Sequence, residues 1–434
     1  MSILFQNVIA VMTDEVGSVL KNAFVAVAGE TISYVGTEKP EGNFDRVIDG
    51  NGKKILMPGL VNCHTHLPMT VLRGYGGGCD LQTWLNQSTV PAEDKLDARA
   101  ARAAAGLALC EMIAGGVTCY ADMYFFCDEI IEETLKAGLS ANIARGVSVF
   151  TPDFDFDTYY STKELKELVA RWDGYNHGQI RIDASVHGEY TSYPAVWRAI
   201  ADYAKEKNIG MHVHASETKS EHEGCLERHG CTPIAALCKE GVFDVRAIAA
   251  HCVWATEEDM DLLRGKGVSA VHCPASNLKL GSGVAPVPDL MKRGVNVALG
   301  TDGVSSNNSH DMVEEIKLAA ILHNGVRHDP LAVLPLQALQ MATRNGAKAL
   351  GRNTGVIEKG RIADLLLLDG DTPNMIPCHS AVENLAYAAS RADIRMNMAR
   401  GKVIYENGEF LTMDIERIRR EIEDYAMPLV FGTK

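Results

Sequence analysis

The chain has 434 residues, with 42 Lys and Arg against 56 Asp and Glu, for a formal net charge of −14. An apolar content of 46% beside 23% charged residues supplies ample core material and excludes disorder over the whole chain. Nucleic-acid binding by counterion release needs clustered basic residues, which so acidic a chain does not offer, and at about 100–200 residues per domain the length fits two or three domains or one large barrel with an attachment.

Residues 1–57 read as short strands. ILFQNVIAVM, AFVAVAGETISYVG and DRVIDGNGKKIL are rich in Val, Ile and Phe with Gly and Asn turns between them. The opening MSILFQNVIAVMTDE has no basic region, and Gln6, Asn7 and Asp14 break its apolar stretches, so no signal peptide is expected. No run of about 18 apolar residues occurs anywhere, so no membrane span is expected. The eleven cysteines include no CxxC pair, which removes zinc-ribbon and thioredoxin-type readings and favours reduced thiols in a cytoplasmic protein.

From Met57 the texture changes. Eight short apolar runs (LMPGLVNCH, GVTCYADM, ANIARGV, QIRIDASVH, IGMHVHA, VRAIAAHC, GVSAVHC and GVNVALGTD) alternate with helical stretches such as ARAARAAAGLALCEMIAGG and YPAVWRAIADYAKEKN. That alternation predicts an α/β fold, a (β/α)8 TIM barrel over residues 58–359. From about residue 360 the strand-and-turn texture returns, in RIADLLLLDG and in a hairpin around Asn407-Gly408 within KVIYENGEFL. Residues 1–57 and 360–412 are therefore expected to pair into one small β-sandwich domain, followed by a C-terminal helix and tail over 413–434.

In such a barrel chemistry gathers at the C-terminal strand ends. Those ends read His64 and His66, Asp122, Arg145, His187, His214, His251, His272 and Asp302, so six of the fourteen histidines fall there. His64 and His66 are two apart on a strand and project to one face, a spacing that chelates a divalent ion. His214 is the ligand expected from the His212/His214 pair, with His212 packing the barrel interior or supporting a ligand from behind. His251 and Asp302 complete the set, and His272 is left open. The other histidines (177, 222, 229, 310, 323, 328 and 379) are expected at the surface or in loops. Three imidazoles and a carboxylate suit Zn2+ or Fe2+ with room for water, whose pKa such an ion lowers from 15.7 to roughly 7. Glu217, three residues after His214, is placed to shuttle protons without being a ligand.

PGLVNCHTHLPMTVLRGYG, HVHASET, AHCVW, HCPASNLKLGSG and ALGTDGVSSNN together resemble the amidohydrolase superfamily, in particular its branch of 5′-methylthioadenosine/S-adenosylhomocysteine deaminases, with the triazine hydrolases as relatives. The resemblance covers nearly the whole chain. It implies that His64, His66, His214 and Asp302 bind one metal ion, with zinc first and Fe2+, Mn2+ or Ni2+ as alternatives. It implies that His251 hydrogen-bonds the attacking hydroxide and that Glu217 is the general acid and base, so Glu217, His251 and Asp302 are the catalytic residues. Two-metal members carry a lysine on the fourth strand; none ends that strand here, so a single ion is expected.

The resemblance also implies that DLQTWLNQSTVPAEDKL is a ribose-side loop in which Trp84 packs near the nucleoside and Glu93 accepts from the 2′ and 3′ hydroxyls. Arg145 falls near the 5′ substituent, His187 at the base, and Ser306 at the substrate. The segment after the fourth strand, His187-Gly188-Glu189-Tyr190, departs from the family's usual PHAPY or PHSPY. FTPDFDFDTYYSTKEL lacks a second arginine that some members use for a homocysteine carboxylate, and its aspartates would repel such a group if they line the site. The implied activity is hydrolytic deamination of the adenine ring of an adenosine derivative to hypoxanthine, with ammonia released. The same chemistry on a triazine, guanine, cytosine or pterin is the near alternative, and a non-catalytic scaffold of this fold the remote one. A small heterocyclic substrate, no nucleic acid, no membrane, and a dimer or tetramer are the expected partners.

Overall fold

We describe the protein from a computed structural model that covers residues 2–79 and 81–432; the first residue of the expected ribose-side loop lies outside the described residues. Five strands open the chain: β1 (Ser2–Val11), β2 (Val19–Ala28), β3 (Thr31–Gly36), β4 (Arg46–Asp49) and β5 (Ile55–Pro58). Eight follow at barrel spacing: β6 (Leu60–Thr65), β7 (Val117–Tyr124), β8 (Ser140–Arg145), β9 (Ile180–Ser185), β10 (Gly210–Ala215), β11 (Ala247–His251), β12 (Ser269–His272) and β13 (Asn296–Leu299). They form one parallel sheet in sequence order, as the eight apolar runs require. Most are buried along their whole length, and burial on both faces is why they read as continuous apolar runs rather than alternating ones.

The barrel closes between its first and last strands mainly through side chains. Thr301 N donates to Asn62 Oδ1 at 3.0 Å, Asn62 Nδ2 donates to Thr301 Oγ1 at 2.8 Å, and Asp302 N donates to the His64 carbonyl at 2.9 Å. Gly300 makes that approach possible, since a Cβ there would stand 2.8 Å from His64 Cβ and 2.9 Å from its backbone nitrogen. The closing seam therefore fixes His64 against Asp302.

The last strands, β14 (Leu365–Leu368), β15 (Ile394–Ala399), β16 (Lys402–Glu406) and β17 (Glu409–Phe410), return to the first ones. The resulting mixed sheet runs β17-β16-β15-β14-β5-β1-β2-β3, with β4 on β1. The LLLL run of β14 shows how this sheet is used. Leu365 and Leu367 enter the sheet's own core with Phe5, Val25 and Met398, while Leu366 and Leu368 join the core shared with the barrel. Strand pleating sends successive side chains to opposite faces, so a strand buried twice needs leucine at every position.

The C-terminal helical segment, Ile415–Glu421 running on through Ile422–Ala426 into Met427–Phe431, packs on the long helix Ala98–Ala114. Lys95 Nζ donates to the Val430 carbonyl at 3.0 Å, and the Tyr75 and Phe431 rings lie 4.8 Å apart. These contacts bracket the 67–97 connection, which carries Trp84 and Glu93. No helix among the described residues is long and apolar enough to cross a membrane.

Candidate metal centre

His64 and His66 lie at the end of β6, His214 on β10, His251 at the end of β11, and Asp302 three residues beyond β13. The donor atoms of His64, His66 and His214 lie within 4.8 Å of one another, and so do those of His64, His251 and Asp302. His66 Nε2 and His64 Nε2 stand 3.2 and 3.5 Å from Asp302 Oδ1. The opposite nitrogen of each ring is engaged elsewhere. His66 Nδ1 donates to the Met123 carbonyl and His214 Nδ1 to the His187 carbonyl, both at 2.6 Å. His251 Nδ1 lies 2.8 Å from Asn277 Oδ1, and His64 Nδ1 lies 2.8 Å from His212 Nε2.

These partners set the tautomers. A carbonyl only accepts, so His66 and His214 carry hydrogen on Nδ1, and in the neutral ring each directs a lone pair from Nε2. Those two Nε2 atoms face each other at 3.3 Å. Two lone pairs at that distance repel unless a cation or a proton lies between them. His64 Nε2 is likewise buried without a hydrogen-bond partner. The donor set thus fits a divalent cation, and the carbonyls and amide behind it are the support that orients imidazole ligands. In the cation's absence one proton can take part of its place. Burial disfavours an imidazolium at His66, yet the Asp302 carboxylate outweighs it and lifts His66 to about 9. Burial alone would raise Asp302, but the adjacent imidazoles of His64 and His66 hold its carboxyl well below the usual range. Burial lowers His64 to about 3 and keeps His214 neutral.

The backbone around the centre is strained. Ser216, His251 and Asp302 have φ of 51°, 73° and 63°, a left-handed conformation that side chains other than glycine rarely adopt and that clusters at functional sites. Asp302 is held by Gly303 N on Oδ1 at 2.7 Å and by the Ser276 and Ser306 hydroxyls on Oδ2 at 2.6 and 2.9 Å.

Glu217 is buried beside the centre, with Oε2 3.9 Å from His251 Nε2. Burial raises its pKa, against the opposing pull of His251. Its backbone is pinned from behind, because Glu221 accepts from Glu217 N at 2.6 Å and Ser216 N at 3.1 Å.

A cavity of about 910 Å³ opens from this point. His66, His214, Glu217, His251 and Asp302 form its deep end, and Trp84, Glu93, Arg145 and His187 line its walls. Glu93 is buried, takes a hydrogen bond from the Tyr124 hydroxyl, and is pushed up to about 7 by burial against that bond. Burial lowers His187 to about 4, so it is a neutral ring, and its Nδ1 has no partner; nor has Trp84 Nε1. Both are buried polar atoms without a partner on residues that line the cavity.

The structure departs from the sequence expectations at several points. Ser306 does not line the cavity; it sits behind Asp302, where its hydroxyl orients the carboxylate. Ser306→Ala is therefore expected to lower kcat roughly tenfold with KM little changed, whereas a substrate contact would raise KM; steady-state kinetics on one substrate decides. His272 lies away from the cavity with its Nε2 3.2 Å from that of His323, and His310 is buried with Nδ1 3.0 Å from Thr301 Oγ1, so His310 and His323 are core residues rather than surface ones. Within FTPDFDFDTYYSTKEL the three aspartates stay outside the cavity, while Phe150, Tyr160 and Glu164 line it. Tyr124, Glu221, Ser276 and Asn277 were not singled out in the sequence. The carboxylate four residues after Glu217 was the one local signal; the others depend on which strand ends become neighbours.

The comparisons with known proteins agree with this geometry. A family described as the amidohydrolase family matches residues 55–404. A 5-methylthioadenosine/S-adenosylhomocysteine deaminase of Thermoanaerobacter pseudethanolicus is 40% identical over 432 residues, covering 99% of this chain and 100% of the relative. A 5′-deoxyadenosine deaminase of Methanosarcina acetivorans is 37% identical, covering 99% and 98%. The crystal structure of an adenosine deaminase from Xanthomonas campestris with bound zinc superposes with a TM-score of 0.92 at 32% identity, covering 98% of each chain.

Proposed function

The chain belongs to the amidohydrolase family, and from that premise we propose that it is a metal-dependent hydrolase that deaminates the adenine ring of an adenosine derivative. The observation that carries this reading is the deep end of the cavity, where the facing Nε2 atoms and Asp302 form a cation site with the non-ligand carboxyl of Glu217 beside it. His64, His66, His214 and Asp302 would hold the ion, and zinc fits four such N and O donors. A divalent ion there supplies an activated water at neutral pH.

The residues then divide the work. Glu217, whose carboxyl burial biases toward the protonated form, donates to ring nitrogen N1, which makes C6 electrophilic. Asp302 accepts a proton from the attacking water, with His251 as a hydrogen-bond partner of the same oxygen. That proton goes to the leaving amine and the second water proton, left on the C6 oxygen, returns to the Glu217 carboxylate, so water and the aminopurine give the 6-oxopurine and ammonia with both carboxyl groups restored. His187, neutral and with a free nitrogen, contacts the base. Trp84 covers the nucleoside, and Glu93 accepts from the ribose hydroxyls. Arg145 stands where a 5′ substituent would reach.

Glu93 gives this reading a pH signature. Its ordinary range is near 4.5, and burial moves it to about 7. Below that pH it is protonated and a weaker acceptor for the two sugar hydroxyls. KM for a ribonucleoside should therefore fall as pH rises through about 7, and Glu93→Gln should flatten the profile. A KM profile that is flat in the unsubstituted enzyme argues against ribose contact.

The reading as a whole is tested with zinc-loaded protein on adenosine, 5′-methylthioadenosine, 5′-deoxyadenosine and S-adenosylhomocysteine, following the ultraviolet change from adenine to hypoxanthine. A kcat/KM above about 10⁴ M⁻¹s⁻¹ on one of them supports it. Absence of turnover on all four with metal bound overturns the nucleoside part and leaves another heterocycle as the substrate.

A further inference from the structure

The outer half of the cavity carries chemistry that the reaction does not use. Aromatic side chains dominate it: Phe125, Phe126, Phe150 and Tyr160. Phe150 and Tyr160 are largely exposed, which is unusual for such large apolar groups unless something packs on them. Charge there is one-sided. Arg145 is the only Lys or Arg among the described residues lining the cavity, against Asp94, Asp128, Glu129, Glu164 and Glu167.

That single cation is already engaged. The Arg145 side chain is 9% exposed, and its Nε donates to Glu164 Oε2 while Nη1 donates to the Gly146 carbonyl. Its guanidinium carbon lies 5.7 Å from the Tyr160 ring centre. Glu164 comes from the first turns of the helix Tyr160–Trp172, and its side chain is 49% exposed. It has left solvent only in part to reach the cation. Asp128 and Glu129 have their own cations, Arg171 at 2.9 Å and Arg102 at 3.9 Å, but these stand outside the lining.

A guanidinium edge paired with a carboxylate cannot also serve a second one. A substrate carboxylate arriving there would have to displace Glu164 or bind beside it, against its like charge and that of the remaining acidic groups. A thioether or methyl would meet only aromatic faces, and an ammonium would meet Glu164 and Glu167 with favourable sign. We propose that Glu164, by occupying Arg145, makes the outer pocket discriminate against a 5′ substituent bearing a carboxylate and in favour of a neutral or ammonium-bearing one. Glu164 thus sets specificity through Arg145. Rejection is built from a like charge placed where the wrong substrate would bind.

The inference rests on the deaminase reading, so the experiment must separate the two. Three substrates suffice: 5′-methylthioadenosine, S-adenosylhomocysteine, and the amine obtained when the carboxylate of the latter is replaced by hydrogen. The last two differ only in the carboxylate. The expected result is a kcat/KM ratio of amine to amino acid of about tenfold or more, residing in KM. In Glu164→Gln the ratio should fall toward one, through improved use of the amino acid. Because Glu164 is half exposed and on a helix surface, the variant should fold, and turnover of 5′-methylthioadenosine reports that it has. A ratio near one in the unsubstituted enzyme, or a large ratio unchanged in Glu164→Gln, overturns the inference. Turnover of S-adenosylhomocysteine without the other two also overturns the inference, whereas absence of turnover on all three, and on adenosine and 5′-deoxyadenosine, would instead overturn the deaminase reading.

Discussion

Glu217→Gln is expected to lower kcat by about 10³-fold while leaving the metal content and KM nearly unchanged. A positioned general acid contributes on the order of 10²–10⁴-fold, and glutamine keeps the shape but has no carboxyl proton to give. The surroundings argue that shape will be kept. The Glu217 backbone is fixed by Glu221 through two amides at 2.6 and 3.1 Å, independent of the Glu217 side chain. Burial also biases the group toward its protonated form. The check is steady-state kinetics with metal analysis on the same preparation. A loss smaller than about tenfold, with metal bound, would remove Glu217 from the proton path.

Asp302→Asn should be more damaging, with activity falling by about 10⁴-fold or more, since ligation and proton acceptance are lost together. Its Oδ1 lies 3.2 Å from His66 Nε2 and 3.5 Å from His64 Nε2, and its Oδ2 is held by two hydroxyls. An amide nitrogen rotated toward Ser276 and Ser306 would lose accepted hydrogen bonds; rotated toward the imidazoles, it would put a donor where a lone pair is needed. The centre would lose its one negative charge, and metal stoichiometry should fall with activity. Full metal occupancy with activity within tenfold of the unsubstituted enzyme would show that Asp302 neither binds the ion nor moves a proton. Melting temperature measured without added metal separates this from unfolding.

Much of the site was legible because β-structure imposes few choices. Parallel strands covered on both faces must be apolar along their length, so the eight runs stand out. Where such a run turns polar the strand is leaving the barrel, and a histidine or aspartate there must face the mouth. That logic brought His66, His214, His251 and Asp302 to the cavity's deep end, with His64 clustered behind them and Glu217 beside them. Arg145 and His187 also follow from strand ends, whereas Trp84 and Glu93 came from the family resemblance alone; all four line the cavity walls.

What the sequence did not disclose was partnership between strand ends. The family resemblance implied a substrate contact for Ser306, but a turn folds its hydroxyl back onto the Asp302 carboxylate. Asn277 and His212 orient imidazoles from other strands, at 2.8 Å each. Glu164 reaches Arg145 across 19 positions and changes what that arginine can do. The sequence by itself determined which residues stand at the mouth, because strand period and burial are local rules read from one segment at a time. Only the tertiary structure decided which of them meet, because that depends on barrel closure and on the paths of the long connections, where contacts join segments far apart in the chain.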